Sequence, residues 1–186
     1  MKRNVFFLVL AALAVVAPAA LAQSDLGLKR VGLALGYVDP EQLGGTFSVG
    51  IFADHGTIAP RVGLESRLDY WGSTDESFGA KASIRDVSIG TRGKYYFEVT
   101  NPKLRPFAGA GLGLHFLKAT VTTPAQFGFP ALTVEGTSTK LGLDFGGGVA
   151  TAFGPRTDLL AEAWFGVVDG ANTFSLRVGL SHKLGS

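Results

Sequence analysis

The sequence predicts an all-β protein: an eight-stranded antiparallel up-and-down transmembrane β-barrel that follows a cleaved signal peptide. Three observations predict this class. Residues 1–22 have the pattern of an export signal, the remaining chain alternates apolar and polar residues, and no segment shows an amphipathic helical stripe. Several alternating runs reach ten residues or more. Strands of soluble proteins average about 5–6 residues, whereas a membrane-spanning strand needs about 9–11.

The signal peptide comes first in the chain. A basic start at residues 2–3 precedes an apolar run over 5–16 and the small-residue site Ala20-Leu21-Ala22. We expect cleavage after Ala22, which divides the chain into a signal peptide, residues 1–22, and one barrel domain, residues 23–186. The apolar run is too short for a membrane anchor.

Charge and cysteine content exclude some classes of function. The chain has 17 Lys and Arg against 15 Asp and Glu, and two of the bases lie in the predicted signal, so the mature domain is balanced at 15 to 15. A nucleic-acid-binding protein would carry a basic surface, which a balanced domain does not predict. The chain has no cysteine, so it has no disulfide framework.

Eight strands are predicted along the mature domain, separated by turn residues. The two longest connections, residues 72–83 and 122–136, follow the third and fifth strands, so both lie at the same end of the barrel. With the N-terminus in the periplasm, that end faces outwards. The predicted strands cover residues 29–38, 45–54, 59–71, 84–98, 105–121, 137–153, 157–168 and 173–184.

The stretch RVGLESRLDYWG, residues 61–72, shows how the two faces of a strand differ. Leu64 and Leu68 stand at even positions, whereas Glu65, Arg67 and Asp69 stand at odd positions. In a strand these two groups point to opposite faces. The apolar face would form the core of a soluble barrel, but it would contact lipid in a membrane barrel.

Glycines favour the membrane barrel. They weaken an exposed strand, but inside a narrow barrel they leave room for long side chains. If the connections are tight, Arg92 and Lys94 lie opposite Gly111 and Gly109, and Trp164 covers a sixth-strand glycine, Gly146. We therefore expect the charges to point inwards. The glycines on the charged face are Gly109, Gly111, Gly113, Gly142, Gly146 and Gly148.

The inward charges predict a network of ion pairs that fills the lumen. Eight bases and seven acids have inward parity or lie at strand ends, a near balance that favours a plugged interior over a selective channel. Glu162 and Arg177 are the pair expected to bond to each other. The predicted network comprises Arg30, Glu65, Arg67, Asp69, Asp86, Arg92, Lys94, Glu98, Lys140, Asp144, Glu162 and Arg177.

No pattern in the sequence indicates catalysis, a metal or a cofactor. His55, His115 and His182 lie in three different segments and are interpreted as a turn residue, a lumen residue and a strand-end residue. Ser181 and His182 are neighbours in a strand, so their side chains would point to opposite faces and could not form a nucleophile–base pair.

The outer segment 122–136 carries two aromatic residues, Phe127 and Phe129, on either side of a glycine. Exposed aromatics at this position could contact lipopolysaccharide, a host surface or another barrel. The alternative is that they fold over the mouth of the barrel. The sequence leaves these two interpretations open.

On this alternation, signal peptide and strand count, residues 24–184 resemble the small eight-stranded outer-membrane β-barrel proteins of Gram-negative bacteria, of the OmpA/OmpX type and the opacity-like porin superfamily. The resemblance implies a monomer in the cell outer membrane, with outer-membrane lipid, lipopolysaccharide and the barrel-assembly machinery as partners and no nucleic acid. Such proteins usually end in an aromatic residue, whereas this last strand ends at Leu184 followed by two further residues.

The expected function is a non-catalytic outer-membrane barrel with a structural, membrane-integrity or surface-binding role. Two alternatives stay open on the sequence alone. One is a small porin or channel of the same fold, and the other is a soluble periplasmic lipid-binding barrel of the lipocalin kind.

Overall fold

The computed structural model describes residues 25–41, 44–77, 79–125, 130–169 and 172–185. The predicted signal peptide and the aromatic pair Phe127 and Phe129 lie outside these ranges. The described residues contain no helix with the length and hydropathy needed to cross a membrane.

Eight antiparallel strands form a closed barrel in which each strand pairs with its neighbours in sequence and β1 pairs with β8. The predicted fold class is therefore confirmed. We call the end at which the first strand begins and the last strand ends the near mouth, and the opposite end the far mouth. The strands are β1 (Asp25–Pro40), β2 (Thr46–Ala59), β3 (Val62–Ser77), β4 (Ala80–Tyr96), β5 (Leu104–Thr123), β6 (Leu132–Ala152), β7 (Thr157–Val168) and β8 (Thr173–Lys183).

The outer surface of the barrel is apolar and the interior is charged. Leu33, Phe47 and Leu141 are 66%, 83% and 66% exposed, whereas Arg67 and Lys94 are 6% and 2% exposed. A soluble barrel would bury the first group and expose the second, so the lipocalin-like alternative is wrong. The apolar band suits lipid instead.

The predicted glycine registers are confirmed. Arg92 lies opposite Gly111, Lys94 lies opposite Gly109, and Trp164 lies opposite Gly146. A Cβ atom on Gly146 would stand 2.7 Å from Cδ2 of Trp164, closer than side-chain atoms approach each other. The glycine therefore makes the space into which the indole ring packs.

The strands differ from their predicted lengths at the far mouth. The predicted loop 72–83 is mostly strand, because β3 continues to Ser77 and β4 starts at Ala80. The predicted loop 122–136 is shortened at both ends, because β5 continues to Thr123 and β6 starts at Leu132. The alternation continues there with the two faces exchanged: Leu117 and Val121 have the inward parity, whereas Lys118 has the outward parity. His55 was predicted in a turn but lies within β2.

The outer parts of four strands form what we call the far extension: residues 72–77 of β3, 80–86 of β4, 117–123 of β5 and 132–140 of β6. β5 and β6 have 20 and 21 residues, whereas β7 and β8 have 12 and 11. About 9–11 residues suffice to span a bilayer, so the two long strands carry roughly ten residues beyond it. The outward residues of the extension are polar, among them Thr74, Lys81, Arg85, Lys118, Glu135 and Thr137.

Candidate functional site in the barrel interior

Eight charged side chains from five strands meet in the middle of the barrel. We call this set the central layer: Glu65, Arg67 and Asp69 on β3, Arg92 and Lys94 on β4, Asp144 on β6, Glu162 on β7 and Arg177 on β8. It holds four bases and four acids. On β3 and β4 the charges stand two residues apart, so those of one strand share the inward face. The layer as a whole is neutral, which a poorly hydrated interior requires.

Lys94 is the most enclosed cation of the central layer, at 2% exposed. Its Nζ donates to Oε2 of Glu65 at 2.5 Å and to Oε1 of Glu162 at 2.7 Å. The ammonium group also lies 4.6 Å from the centroid of the Phe107 ring. Lys94 thus links β3, β4 and β7 across the barrel, rather than only neighbouring strands.

Arg92 forms the second link across the barrel. Its Nε and Nη2 donate to Oδ2 of Asp144 at 3.1 and 2.9 Å. Its guanidinium carbon stacks 3.7 Å from the centroid of the Trp164 ring, and the indole Nε1 donates to Glu162 at 3.0 Å. Because Trp164 occupies the space left by glycine on β6, the glycine pattern and the ion pairs are parts of one arrangement.

The third group joins Arg67, Asp69 and Arg177. Arg67 donates from Nη2 to Asp69 at 2.7 Å, and Arg177 donates from Nη1 to the same carboxylate at 3.0 Å. The expected bond between Glu162 and Arg177 is wrong. The two residues lie directly opposite each other in register, but Arg177 reaches across the lumen to β3 while Glu162 bonds to Lys94.

Smaller groups lie on either side of the central layer. Towards the far mouth, the buried carboxylate of Asp86 accepts from Trp71 Nε1 at 3.1 Å and lies 2.7 Å from His115 Nδ1. Towards the near mouth, Arg30 and Arg105 both bond to Asp158. The sequence prediction missed Arg105 and Asp158 because they stand close to strand ends, where the inward parity is hard to assign.

Two predicted members do not join the interior network. Glu98 lies beyond the end of β4, is exposed, and pairs with Arg61 at the near mouth. Lys140 has the inward parity but stands at the rim of the far mouth, where it donates to Asp169 at 2.7 Å. This hydrogen bond and the positive charge lower the pKa of the exposed Asp169 carboxyl. Both residues were included because parity does not tell how far along the barrel a side chain lies.

The interior leaves little free space. A cavity of about 30 Å³ lies between the central layer and the Asp86–His115 pair, which is room for about one water molecule. Among the described residues, three buried side-chain atoms lack a protein partner: Asp86 Oδ1, Arg92 Nη1 and Arg177 Nε. All three residues line this cavity.

The histidines do not gather into a site. In the part of the chain that the structure describes, no three His, Cys, Asp or Glu side chains are placed to hold a metal ion. Ser181 is buried and His182 is exposed, so they lie on opposite faces as expected. His55 Nε2 lies 2.9 Å from the Ser66 hydroxyl, within hydrogen-bonding distance.

Comparison with known families agrees with this geometry. The sequence profile described as "Outer membrane protein beta-barrel domain" matches residues 7–183. A search of curated proteins found no match.

Solved structures of similar fold are outer-membrane barrels. Neisserial surface protein A is 19% identical, with a TM-score of 0.64, over 87% of this chain and 100% of that chain. A major outer membrane protein from Thermus thermophilus is 14% identical, with a TM-score of 0.58, over 85% and 100%. Ail, the attachment invasion locus protein of Yersinia pestis, is 13% identical, with a TM-score of 0.53, over 84% and 97%. At these identities the similarity concerns the fold.

Proposed function

Because this chain belongs to the outer membrane protein beta-barrel family and is therefore a protein of the outer membrane, we propose that it is a non-catalytic, non-conducting barrel that presents the far extension at the cell surface for binding. The signal peptide over residues 1–22 would direct its export, and the far mouth would face outwards. Family membership alone does not select among structural, binding and channel roles.

The observation that carries the proposal is the contrast between the charged interior of the barrel and the polar far extension. The interior charges pair with one another in a neutral layer, in which Lys94 and Arg92 are almost fully buried. The far extension, in contrast, holds polar strands that the barrel does not need for spanning a membrane. Among the described residues, its β6 edge is unpaired beyond Gly142, where pairing with β7 stops. An unpaired strand edge can bind an extended segment of a partner.

Conductance tests the first half of the proposal. Purified protein in planar bilayers should show no steady ion-selective current, with a general porin recorded in the same bilayers as the control. An eight-stranded barrel is just wide enough to be filled by its own side chains. A reproducible single-channel conductance of the wild-type monomer would make the small-channel alternative correct.

Trimming the far extension tests the second half. Residues 75–82 and 121–134 would each be replaced by Asn-Gly, which closes a two-residue hairpin. The new turns join Thr74 to Ser83 and Thr120 to Glu135, which are already register partners. The trimmed barrel should fold, yet cells that express it should lose the surface attachment gained with the full chain. Equal attachment by both would show that the extension is not the binding surface.

A further inference from the structure

Two basic residues lie side by side on the outer surface of the barrel near the far mouth. Arg85 on β4 and Lys118 on β5 are direct partners in the register of these strands. Both have the outward parity and both are exposed. Neither belongs to the interior network, and both stand at the base of the far extension, in the part that the trimmed barrel keeps.

The register of β4 and β5 defines the position of Arg85 and Lys118 along the barrel axis. Ile89 lies opposite Leu114, and Val87 lies opposite Phe116; these apolar pairs face outwards and are exposed. The next outward pair is Arg85 and Lys118. Two residues of strand correspond to about 7 Å, so the charges stand immediately above the last apolar pair, where lipid headgroups begin.

The neighbours of the basic pair leave it incompletely compensated. Like charges directly opposite each other on a sheet destabilise it. Lys118 has one exposed partner, Glu135 at 2.9 Å, but among the described residues Arg85 has no ion-pair partner. On the other side of Arg85 stands Gly72, whose absent Cβ would lie 3.4 Å from Arg85 Cγ. The stem of Arg85 therefore lies against the uncharged Gly72 on one side, and its other neighbour across the sheet is a second cation, Lys118.

We propose that Arg85 and Lys118 bind a phosphate group of a membrane lipid in the leaflet around the far mouth. The acyl chains of that lipid lie on Val87 and Phe116, and its phosphate accepts from the guanidinium and ammonium groups above them. Ser83 and Thr120, the next outward pair, present hydroxyl groups on the same face for further hydrogen bonds. The site rests on the outward orientation given in the proposed function, but not on the attachment role.

The test uses the full mature chain in phosphatidylcholine nanodiscs with and without lipid A, which carries phosphate on its sugars. Binding of lipid A would be titrated for the wild type and for Arg85→Gln with Lys118→Gln. At about 1 kcal/mol for each base near an anionic lipid surface, the double variant should bind lipid A about 30-fold more weakly. The matched control is Lys103→Gln with Arg156→Gln, two exposed bases in turns at the near mouth, which should leave binding unchanged.

Two further arms identify the ligand. Dephosphorylated lipid A should bind the wild type and the double variant equally, and inorganic phosphate should not compete with lipid A at the same concentration. Urea unfolding gives a second measurement of lipid A binding that does not depend on the titration. Lipid A should raise the urea midpoint of the wild type but not that of the double variant. Equal lipid A binding by wild type and double variant, or full competition by inorganic phosphate, would overturn the proposal. The trimmed barrel retains both residues, so a failure here is distinguishable from a failure of the attachment role.

Discussion

Replacing Lys94 by methionine is the sharpest test of the closed interior. The substitution keeps the length of the side chain but removes a cation that is 2% exposed and bonded to two carboxylates, Glu65 and Glu162. The central layer then holds three bases against four acids, so a buried negative charge is left over. Removing one partner of a buried ion pair typically costs about 3–5 kcal/mol.

The cations that remain near Glu65 and Glu162 determine where in the range of about 3–5 kcal/mol the loss of stability should fall. Arg67 Nη1 lies 3.9 Å from Glu65, and Arg92 Nη1 lies 4.0 Å from Glu162, so each carboxylate retains a second, more distant cation. We therefore expect a loss of about 3 kcal/mol, near the lower bound. Adding Glu162→Gln alone to Lys94→Met should recover part of it, because the layer then holds three bases and three acids and the amide still accepts from Trp164 Nε1.

Urea unfolding in detergent micelles would measure the loss of unfolding free energy. The fluorescence of the buried Trp71 and Trp164 would monitor the transition. The control is Lys103→Met, which removes an exposed lysine from a near-mouth turn and should change stability little. A loss below about 1 kcal/mol, the value of an exposed ion pair, would refute the reasoning and indicate a hydrated interior.

The other predictions concern lipid contact and export. Leu112 is exposed on the apolar band, so Leu112→Arg should cost about 2–4 kcal/mol if the residue lies near the bilayer midplane. A polarity-sensitive dye at residue 112 should report hydrocarbon, and a dye at residue 111 that did so instead would reverse the assignment of the faces. N-terminal sequencing of the exported protein should begin at Gln23; a chain that begins at Met1 would contradict cleavage after Ala22.

The amino-acid sequence by itself determines the class of fold, the strand count and the face that meets lipid. Period-two alternation separates Leu64 and Leu68 from Glu65 and Arg67, and it operates locally, since adjacent strand residues always point to opposite faces. Tight connections then transmit the register from one strand to the next. For this reason the glycine partners of Arg92, Lys94 and Trp164 were predictable before the barrel was seen.

Closure of the barrel decides which charges bond to each other. Glu162 and Arg177 are direct cross-strand neighbours, yet each bonds to a residue on a strand across the lumen: Lys94 on β4 and Asp69 on β3. Such contacts depend on strand tilt and barrel width, which no local pattern in the chain encodes. The sequence does not reveal the far extension for a related reason. In the far extension the apolar residues change to the inward parity, as Leu117 and Val121 do, while Lys118 has the outward parity. That change resembles a loop in the sequence, and only the paired backbones of β3–β6 show where those strands end.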